Sequence, residues 1–403
     1  MPEAQLMRIR DFAQVSSGTT PARSEGSRFF CNSGHRWVKT GDLNNGSIYD
    51  TTEHITDEAL IYTGCRIYPV GTVLVAMYGG FKQIGRTGIL RHEAAINQAI
   101  SAIQPDIEII DPEYLLQYLN GNVASWKRFA ASSRKDPNIT RTDVEYFRVL
   151  ALPLSEPRRV AEILKTWDLV LEKLKTLQVR KFERLGALRA GLLFGELRLN
   201  NRFHNWSPTR LGTVTHELTA RNGTSGLGRE YVMGVTKAQG VVPMRAQTIA
   251  GDISRYKRLP PRAFAYNPMR INVGSIAMNE RDEEVLVSPD YVVFACNASG
   301  VDPDYLDHLR KTSWWAHYIN SGGSGSVRQR TYYDDLAALK LPLPELDEQK
   351  AIAAVLNTAR DDLAATEREI EAVLLQKRGL MQKLLTGEWR VAVEDKGSTE
   401  VAE

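Results

Sequence analysis

The sequence predicts an α+β protein built by tandem duplication: two mostly β domains, and two long helices that form an antiparallel coiled coil about a pseudo-twofold axis. Three observations predict this class. The helix ending "LLFGELRL" (192–199) returns as "LLTGEWRV" (384–391), with five of eight residues identical. Each copy closes a long run with apolar residues at alternating steps of three and four. Each run follows a segment rich in β-branched and aromatic residues.

The composition of the chain limits the classes of protein to which it can belong. The chain has 403 residues, which is long for one hydrophobic core, and 43% of them are hydrophobic. Its 51 basic and 48 acidic residues leave a net charge of only +3, which excludes a uniformly cationic protein but allows local basic surfaces. Cys31, Cys65 and Cys296 have no CxxC spacing or histidine set, so we expect reduced thiols and no metal or cofactor. We also expect a cytoplasmic chain with no membrane contact, because signal-peptide and membrane-spanning patterns are missing.

The first domain is predicted to span residues 1–154. Strands are indicated by segments such as "GTVLVAMYGG" (71–80), with Gly, Asn, Asp and Pro breaks about every ten residues. A short helix is expected at "DPEYLLQYLNG" (111–121). The domain ends with a polar loop (131–143) and the tripeptide "LPL" (152–154), which leads into the first long helix.

The first long helix is predicted over residues 155–199. Ser155 is suited to cap it, and Glu156 lies in the first turn, where the helix dipole favours a carboxylate. Gln178 and Lys181 interrupt a heptad seam that otherwise holds apolar side chains: Val160, Leu164, Trp167, Leu171, Leu174, Leu185, Leu188 and Leu192. Gly195 fits the left-handed position after the helix.

The second domain (200–346) and the second helix (347–391) repeat this order. Strands are expected at 231–236, 264–278 and 291–297, and a helix at "DPDYLDHLRKT" (302–312), before a polar loop and "LPL" (341–343). In the second helix only Thr366 and Lys377 interrupt the seam, and Gly387 lies 192 residues after Gly195 (387 − 195 = 192). Residues 392–403 are predicted to be a disordered tail. Two matched seams favour mutual pairing over two helices that each lie on their own domain.

Several segments resemble the specificity (S) subunits of type I restriction-modification enzymes. "LPLPELDEQKAIAAVL" and "GLMQKLLTGEWRV" are similar to the family's helical region. "SSGTTP" (16–21), "RWVKTGDLNNGSI" (36–48), "AINQAISAI" (95–103) and "NPMRINVGSIA" (267–277) resemble parts of its target recognition domains. The first copy departs from the pattern, because Pro157 stands where the second copy has Gln349.

The resemblance implies a non-catalytic DNA-binding subunit. Each target recognition domain would read one half of a bipartite double-stranded DNA sequence through the major groove. The helices would set the spacing and dock two methyltransferase (M) subunits, and motor-nuclease (R) subunits would join the full complex. A rod of roughly 57 Å would cover at most about 17 base pairs.

The residues agree with a DNA-reading role, since polar and basic loops occur at matching places in both domains. Arg, Lys, Asn and Gln hold phosphates and read base edges. The DNA-binding candidates are Tyr78, Lys82, Gln83, Arg86, Arg134, Lys135, Asn138 and Arg141 in the first domain, and Arg221, Arg229, Arg245, Lys257, Arg328 and Arg330 in the second. The partner-binding candidates near the helix starts are Arg158, Arg159, Gln349 and Lys350.

Two other functions stay open at this stage. One is a nuclease or methyltransferase with a cryptic active site, although the chain contains no GxxxxGK[ST] loop, no Asp/Asn-Pro-Pro-aromatic motif and no PD…ExK pattern. The other is a structural adaptor that uses only the coiled coil. Sequence-dependent, salt-dependent DNA binding would distinguish a specificity subunit from an adaptor.

Overall fold

The computed structural model describes residues 5–80, 82–131, 138–152, 155–199, 206–223, 225–321 and 330–391. Arg134, Lys135 and Arg328 therefore lie outside the described residues, as do Pro153 and Leu154 of the first "LPL" and the tail from 392. The chain forms two compact units. The first contains residues 1–174 and 369–403, and the second contains residues 175–368. Each unit holds one β-rich domain and a stretch of both long helices.

The first unit contains a ribbon and two sheets. The strands are β1 (Gln5–Arg8), β2 (Ala13–Ser17), β3 (Phe30–Cys31), β4 (His35–Val38), β5 (Gly46–Ile48), β6 (His54–Ile55), β7 (Val73–Ala76), β8 (Thr87–Leu90), β9 (Ala95–Ile96), β10 (Ile100–Pro105) and β11 (Arg148–Ala151). The larger sheet has the order β2-β10-β7-β8-β5, and the smaller has the order β3-β6-β4-β9. The β1-β11 ribbon is antiparallel and joins the start of the domain to its end.

The shorter helices of this unit are α1 (Asp57–Tyr62), α2 (Pro112–Gly121), α3 (Val123–Ala131) and α4 (Arg141–Tyr146), with 3-10 turns at Ile9–Asp11, Arg23–Arg28 and Thr40–Asp42. The helix predicted at 111–121 is confirmed as α2. The Asp111 carboxylate caps it by accepting from the backbone N–H groups of Glu113 and Tyr114, at 2.9 and 3.0 Å. Such a cap stabilises a helix by about 1 kcal/mol, and Pro112 loses nothing at N1.

The main core of the first unit joins the sheet to both long helices. Trp126 and Phe147 stack at its centre, with ring centroids 3.9 Å apart. Val160 and Leu164 from the first long helix and Leu384 from the second are buried in the same core. A second cluster fills the other face of the larger sheet.

The second unit also contains a β-rich domain, with ten strands in its described residues. They are β12 (Ser207–Arg210), β13 (Thr215–Glu217), β14 (Met233–Thr236), β15 (Gly240–Pro243), β16 (Lys257–Leu259), β17 (Phe264–Tyr266), β18 (Ile276–Met278), β19 (Val285–Val287), β20 (Val292–Cys296) and β21 (Lys340–Leu343). A sheet of order β13-β20-β17-β18 is accompanied by the ribbons β12-β21, β14-β15 and β16-β19. The strands predicted at 231–236, 264–278 and 291–297 are confirmed.

Helices α6 (Leu211–Val214), α7 (Pro303–Leu309), α8 (Ser313–Ser321) and α9 (Tyr333–Ala337) complete the second domain, with 3-10 turns at Arg229–Tyr231, Ala246–Thr248 and Ile271–Val273. Asp302 caps α7 as Asp111 caps α2, by accepting from two backbone N–H groups at 3.0 Å. The core stacks Phe264 on Phe294 and also takes in Leu192 and Leu356 from the two long helices.

The long helices are α5 (Ser155–Leu193) and α10 (Leu346–Leu385). Both predicted C-terminal glycines are confirmed, because Gly195 and Gly387 have φ angles of +76° and +73°, which favour glycine. Helix α10 begins one residue before the predicted start, so Asp347 lies in the first turn and does not cap it. Both helices end six residues before the predicted ends, because the chain leaves the helix ahead of Gly195 and Gly387. With these helices and sheets the predicted α+β class is confirmed. No helix in the described part of the chain is long and apolar enough to cross a membrane.

Candidate nucleic-acid and partner interfaces

The loop after β7 presents one of the predicted basic groups. Lys82 is exposed at its tip, whereas Gln83 and Arg86 are half-buried. The Tyr78 hydroxyl donates to the Gln98 carbonyl at 2.7 Å, which holds this side of the loop. Gly79 has a φ of +120°, and a Cβ there would lie 2.1 Å from the Gln83 amide oxygen. The turn therefore requires glycine at position 79, and the Gln83 side chain lies close to its backbone.

The second predicted loop of this domain is described only at its end. Asn138 is half-buried. Arg141 starts α4 and donates from Nε to the Glu145 carboxylate at 2.7 Å, while 57% of its side chain stays exposed. Thr140 and Asp143 form a capping box that fixes this helix start, and therefore the direction of Arg141.

Arg141 also borders a cleft that the sequence did not predict. The cleft has a volume of about 490 Å³, and its polar lining includes Arg10, Arg66, Gln14 and Gln104. These residues come from the start of the chain, from the loop after α1 and from β10. Because they are up to 131 residues from Arg141 along the chain (141 − 10 = 131), no local motif indicates the site.

In the second domain, two predicted arginines are used by the fold. Arg221 donates to the Arg255 carbonyl at 2.7 Å. Arg229 donates to the carbonyls of Ala246, Ile249 and Ala250, at 3.4, 3.2 and 2.6 Å, and thereby closes the turn that follows β15. Both residues remain exposed, so their guanidinium groups combine an internal contact with an outward face.

The remaining predicted residues of this domain differ in exposure. Arg245 and Arg330 are exposed, and hydrogen bonding to Tyr332 raises the pKa of Arg330. Lys257 is instead only 9% exposed, with its ammonium 3.8 Å from the Glu217 carboxylate. Burial lowers the pKa of Lys257. The expected surface position of Lys257 is therefore corrected: β16 turns this side chain inward, where its charge meets a carboxylate.

The candidate partner residues lie in the first turns of α5 and α10. Arg158, Arg159 and Lys350 are exposed, and Arg159 donates to Glu162 at 3.0 Å. Gln349 is only 1% exposed.

The amide of Gln349 is used within the second unit. It donates to the carbonyls of Gly300 and Pro344, at 3.3 and 2.8 Å, and accepts from the Asp302 N–H at 2.8 Å. The Gln349 side chain is therefore not on the surface where the prediction placed it, because its amide fastens the start of α10 to the loop that caps α7.

The ends of the helix pair are held by equivalent ion pairs in the two units. In the first unit, Arg390 donates from Nε and Nη2 to both oxygens of Glu156, at 2.7 and 2.6 Å. In the second unit, Arg198 donates to Glu348 at 3.2 Å, and the Trp206 indole N–H donates to the same carboxylate at 3.3 Å. We call these contacts the two clasps.

In each clasp, the carboxylate lies in the first turn of one helix and the arginine follows the end of the other, so the helices run antiparallel within each unit. The sequence contained a signal for the clasps. Arg198 and Arg390 have the same spacing of 192 residues as Glu156 and Glu348 (390 − 198 = 192; 348 − 156 = 192).

The four residues that interrupt the predicted seams form polar contacts between the helices. Lys181 donates to Asp362 and Thr366 at 2.7 and 2.9 Å, and Gln178 donates to Glu367 at 3.2 Å, all within the second unit. In the first unit Lys377 lies 2.5 Å from the Asp168 carboxylate. Polar groups in a coiled-coil seam specify its register, because a shifted register leaves them without partners.

Comparison with known proteins agrees with this architecture. Residues 1–180 match the family model described as type I restriction modification DNA specificity domain. A protein of Methanocaldococcus jannaschii, described as the MjaX type I restriction enzyme specificity subunit, is 23% identical over 351 residues, which cover 80% of this chain and 79% of that protein.

Two solved structures share the fold. A type I restriction-modification S subunit from M. genitalium superposes with a TM-score of 0.60 at 12% identity, over 95% of this chain and 96% of its own. A chain from a study of complex assembly and conformational transition in the type I R-M system gives a TM-score of 0.55 at 15% identity, over 96% and 99%. The resemblance drawn from the sequence is confirmed.

Proposed function

We propose that the chain, whose residues 1–180 match the type I restriction modification DNA specificity domain, is the non-catalytic subunit that gives such a complex its sequence preference. Each β-rich domain reads one half of a bipartite double-stranded DNA target through the major groove. The helix pair sets the distance between the halves and carries the methyltransferase subunits, and motor-nuclease subunits join for restriction.

The reciprocal helix pairing is the observation that carries this proposal. Each domain packs against the start of one long helix and the end of the other, and each unit closes that arrangement with a clasp. A helix of 39 residues extends roughly 58 Å at about 1.5 Å per residue. A spacer between two DNA-reading domains needs a helix pair whose register and length are both fixed.

Several side chains remain available for DNA. The exposed cations Lys82 and Arg141 in the first domain, and Arg245 and Arg330 in the second, can hold phosphates or read guanine edges. Arg86 and Gln83 support the same loop as Lys82. Arg221 and Arg229 would reach DNA with the donors that the fold leaves free. Lys257 has no part in this set.

Two matched apolar side chains support docking of two methyltransferase subunits. Phe182 on α5 and Leu374 on α10 occupy the same position of the repeat (374 − 182 = 192) and are 67% and 41% exposed. Large apolar groups exposed on a polar coiled coil favour a protein partner. Arg158, Arg159 and Lys350 are exposed cations at the helix starts that would add separate polar contacts with a partner.

The docking proposal has a stoichiometric test. Phe182→Glu or Leu374→Glu alone should leave one methyltransferase subunit bound per chain, and the double variant should leave none, as read by native mass spectrometry. Lys175→Glu, on an exposed position of α5, is the control and should keep two. Two bound subunits in the double variant would contradict this docking surface.

The reading proposal is tested by mapping methylated adenines in cells that express the chain with its methyltransferase partner. A bipartite motif with a constant gap is expected. Replacing residues 205–340 by the matching domain of a relative should change one half of the motif only. A single continuous motif, a change in both halves, or catalysis by the purified chain alone would contradict the proposal.

A further inference from the structure

Two cations face each other across the ribbon at the base of each domain. In the first unit Arg8 on β1 lies directly opposite Arg148 on β11. In the second unit Arg210 on β12 lies directly opposite Lys340 on β21. Opposite residues of an antiparallel pair project from the same face, so each ribbon holds two like charges side by side. We call these the ribbon pairs.

Like charges in this position destabilise a sheet. Arg148, Arg210 and Lys340 are exposed, and Arg8 is half-buried. Within the described residues, none of these four side chains forms an ion pair with a carboxylate, although many other surface arginines do. The same unfavourable arrangement occurs in both halves, whose loops otherwise differ. Its recurrence points to an anion outside the chain.

In the first domain the positive surface extends beyond the ribbon. The guanidinium groups of Arg8 and Arg10 lie over the ring of Tyr146, at 5.0 and 4.2 Å from its centroid. Arg10 then lines the cleft described above, together with Arg66 and Arg141. Among the described residues, the carboxylates that pair with these arginines are Asp11 and Glu145. Five arginines therefore meet two carboxylates on this surface.

The same cleft offers neutral hydrogen-bonding groups beside the cations. Gln14 on the edge strand β2 lies directly opposite Gln104 on β10, and both line the cleft. Their neighbour Ser16 is hydrogen-bonded to the Tyr68 hydroxyl at 2.9 Å. Arginines that hold phosphates next to amides that donate and accept are typical of DNA interfaces, whereas an acidic protein surface would need only the cations.

We infer that the ribbon pairs are two phosphate clamps for the backbone of duplex DNA, one in each domain, and that the first continues into the Arg10–Arg66–Arg141 cleft. This inference rests on the proposed function. The clamps hold the register of each domain on the duplex, and the loops beyond them read the bases. Phosphate contacts of this kind add affinity on any sequence and add salt dependence.

The test uses the complex of the full chain with its methyltransferase partner. Arg148→Gln and Lys340→Gln each remove one exposed cation of a ribbon pair without disturbing the contact of Arg8 with Tyr146. Arg28→Gln and Arg281→Gln are matched controls, because these exposed arginines are paired with glutamates. DNA binding is measured against salt concentration, with a duplex that carries the mapped motif and a scrambled duplex of the same composition.

Each clamp variant should make the slope of log Kobs against log salt shallower by about 0.9 on both duplexes, while the controls keep the wild-type slope. The midpoint of thermal unfolding should stay the same or rise, because a like-charge contact is relieved. A wild-type slope in both variants, a lower unfolding midpoint, or loss of the methyltransferase from the complex would overturn the clamps. If the wild-type complex bound the motif duplex and the scrambled duplex equally well, that result would instead contradict the proposed function.

Discussion

The two junctions between helix pair and domain use the same positions with different chemistry. Six residues after its capping aspartate, α2 carries Gln117 and α7 carries His308. Gln117 donates to Asp168 at 2.8 Å, and this carboxylate also meets Lys377. His308 bonds Asn357 at 2.9 Å and accepts from Arg189 at 3.3 Å.

The difference shows which features of the duplication were kept and which diverged. The capping aspartates, the helix-ending glycines and the clasps recur, because both halves need the same antiparallel packing. At the junctions the polar partners do not match: the first needs a lysine opposite a carboxylate, and the second needs an arginine opposite a neutral imidazole. An exchanged junction would leave a buried polar group without its partner, which costs about 1–3 kcal/mol.

The clasps also differ in burial. Glu348 and Glu156 are both buried, but Arg198 is only 21% exposed in its side chain, whereas Arg390 is 52% exposed. Arg198 additionally lies under the Trp206 ring, 4.5 Å from its centroid. The second clasp is therefore the drier of the two.

The largest expected effect on stability comes from breaking the second clasp, which is less exposed to water than the first. Glu348→Gln should lower the free energy of unfolding by about 3 kcal/mol, because Arg198 keeps a charge that water reaches poorly. Glu156→Gln should cost clearly less, since Arg390 can hydrate. Urea denaturation of both variants measures the difference, with the exposed Glu162→Gln as control. Equal losses, or a larger loss for Glu156→Gln, would contradict the comparison.

The next effect concerns pH at the second junction. Burial lowers the pKa of His308 to about 4, and the neutral ring satisfies both Asn357 and Arg189. The unfolded chain takes up a proton near pH 6.5, so the stability that comes from neutral His308 is complete above that pH. It is lost as the pH falls towards 4, by about 3 kcal/mol in total.

Replacement of His308 by glutamine, the residue at the equivalent position 117, isolates this effect. His308→Gln should flatten the pH dependence of unfolding between pH 6.5 and 4 relative to the wild type. Asp307 and Lys311, which also face this site, are retained in both proteins, so the difference between the two profiles reports the loss of His308. Parallel pH profiles for the two proteins would show that His308 titrates outside a buried network.

The smallest expected effect on stability comes from the polar seam. Lys181→Leu with Lys377→Leu should change the free energy of unfolding by less than about 1 kcal/mol, because the freed carboxylates of Asp362 and Asp168 are 52% and 41% exposed and can hydrate. The gap in the methylated motif should become heterogeneous, because the register loses its polar markers. A single unchanged gap would show that apolar packing alone sets the register.

Much of the fold could be predicted because its signals are local or periodic. Short stretches of sequence are enough to indicate the helix caps at Asp111 and Asp302, the terminal glycines and the heptad seams. The mutual pairing of the helices also followed from having two matched seams in one chain, and the family resemblance implied their antiparallel direction.

The sites were harder to predict because they depend on contacts distant in sequence. Nothing near Gln349 indicates that its amide bonds Gly300 and Asp302, and nothing near Lys257 indicates that β16 turns it towards Glu217. The ribbon pairs join the two ends of each domain, so Arg8 and Arg148 become neighbours only after folding. The clasps could have been predicted from the sequence, because the repeat spacing of 192 residues relates Glu156 to Glu348 and Arg198 to Arg390.

We propose that the helix pair measures the distance between two DNA-reading domains. Residues 171–177 lie between Asp168 and Gln178 on α5, and residues 369–375 lie between Glu367 and Lys377 on α10. Insertion of a second copy of both segments adds one heptad to each helix, keeps every polar pair in register and retains Leu374. Insertion into either helix alone is the control, and it should prevent assembly because the register is broken.

Mapping of methylated adenines with the doubly extended chain is the most direct measurement. Seven residues lengthen a helix by about 10 Å, so the gap between the half-sites should become about three base pairs longer while both halves stay the same. An active complex that methylates the original motif with its original gap would contradict the account.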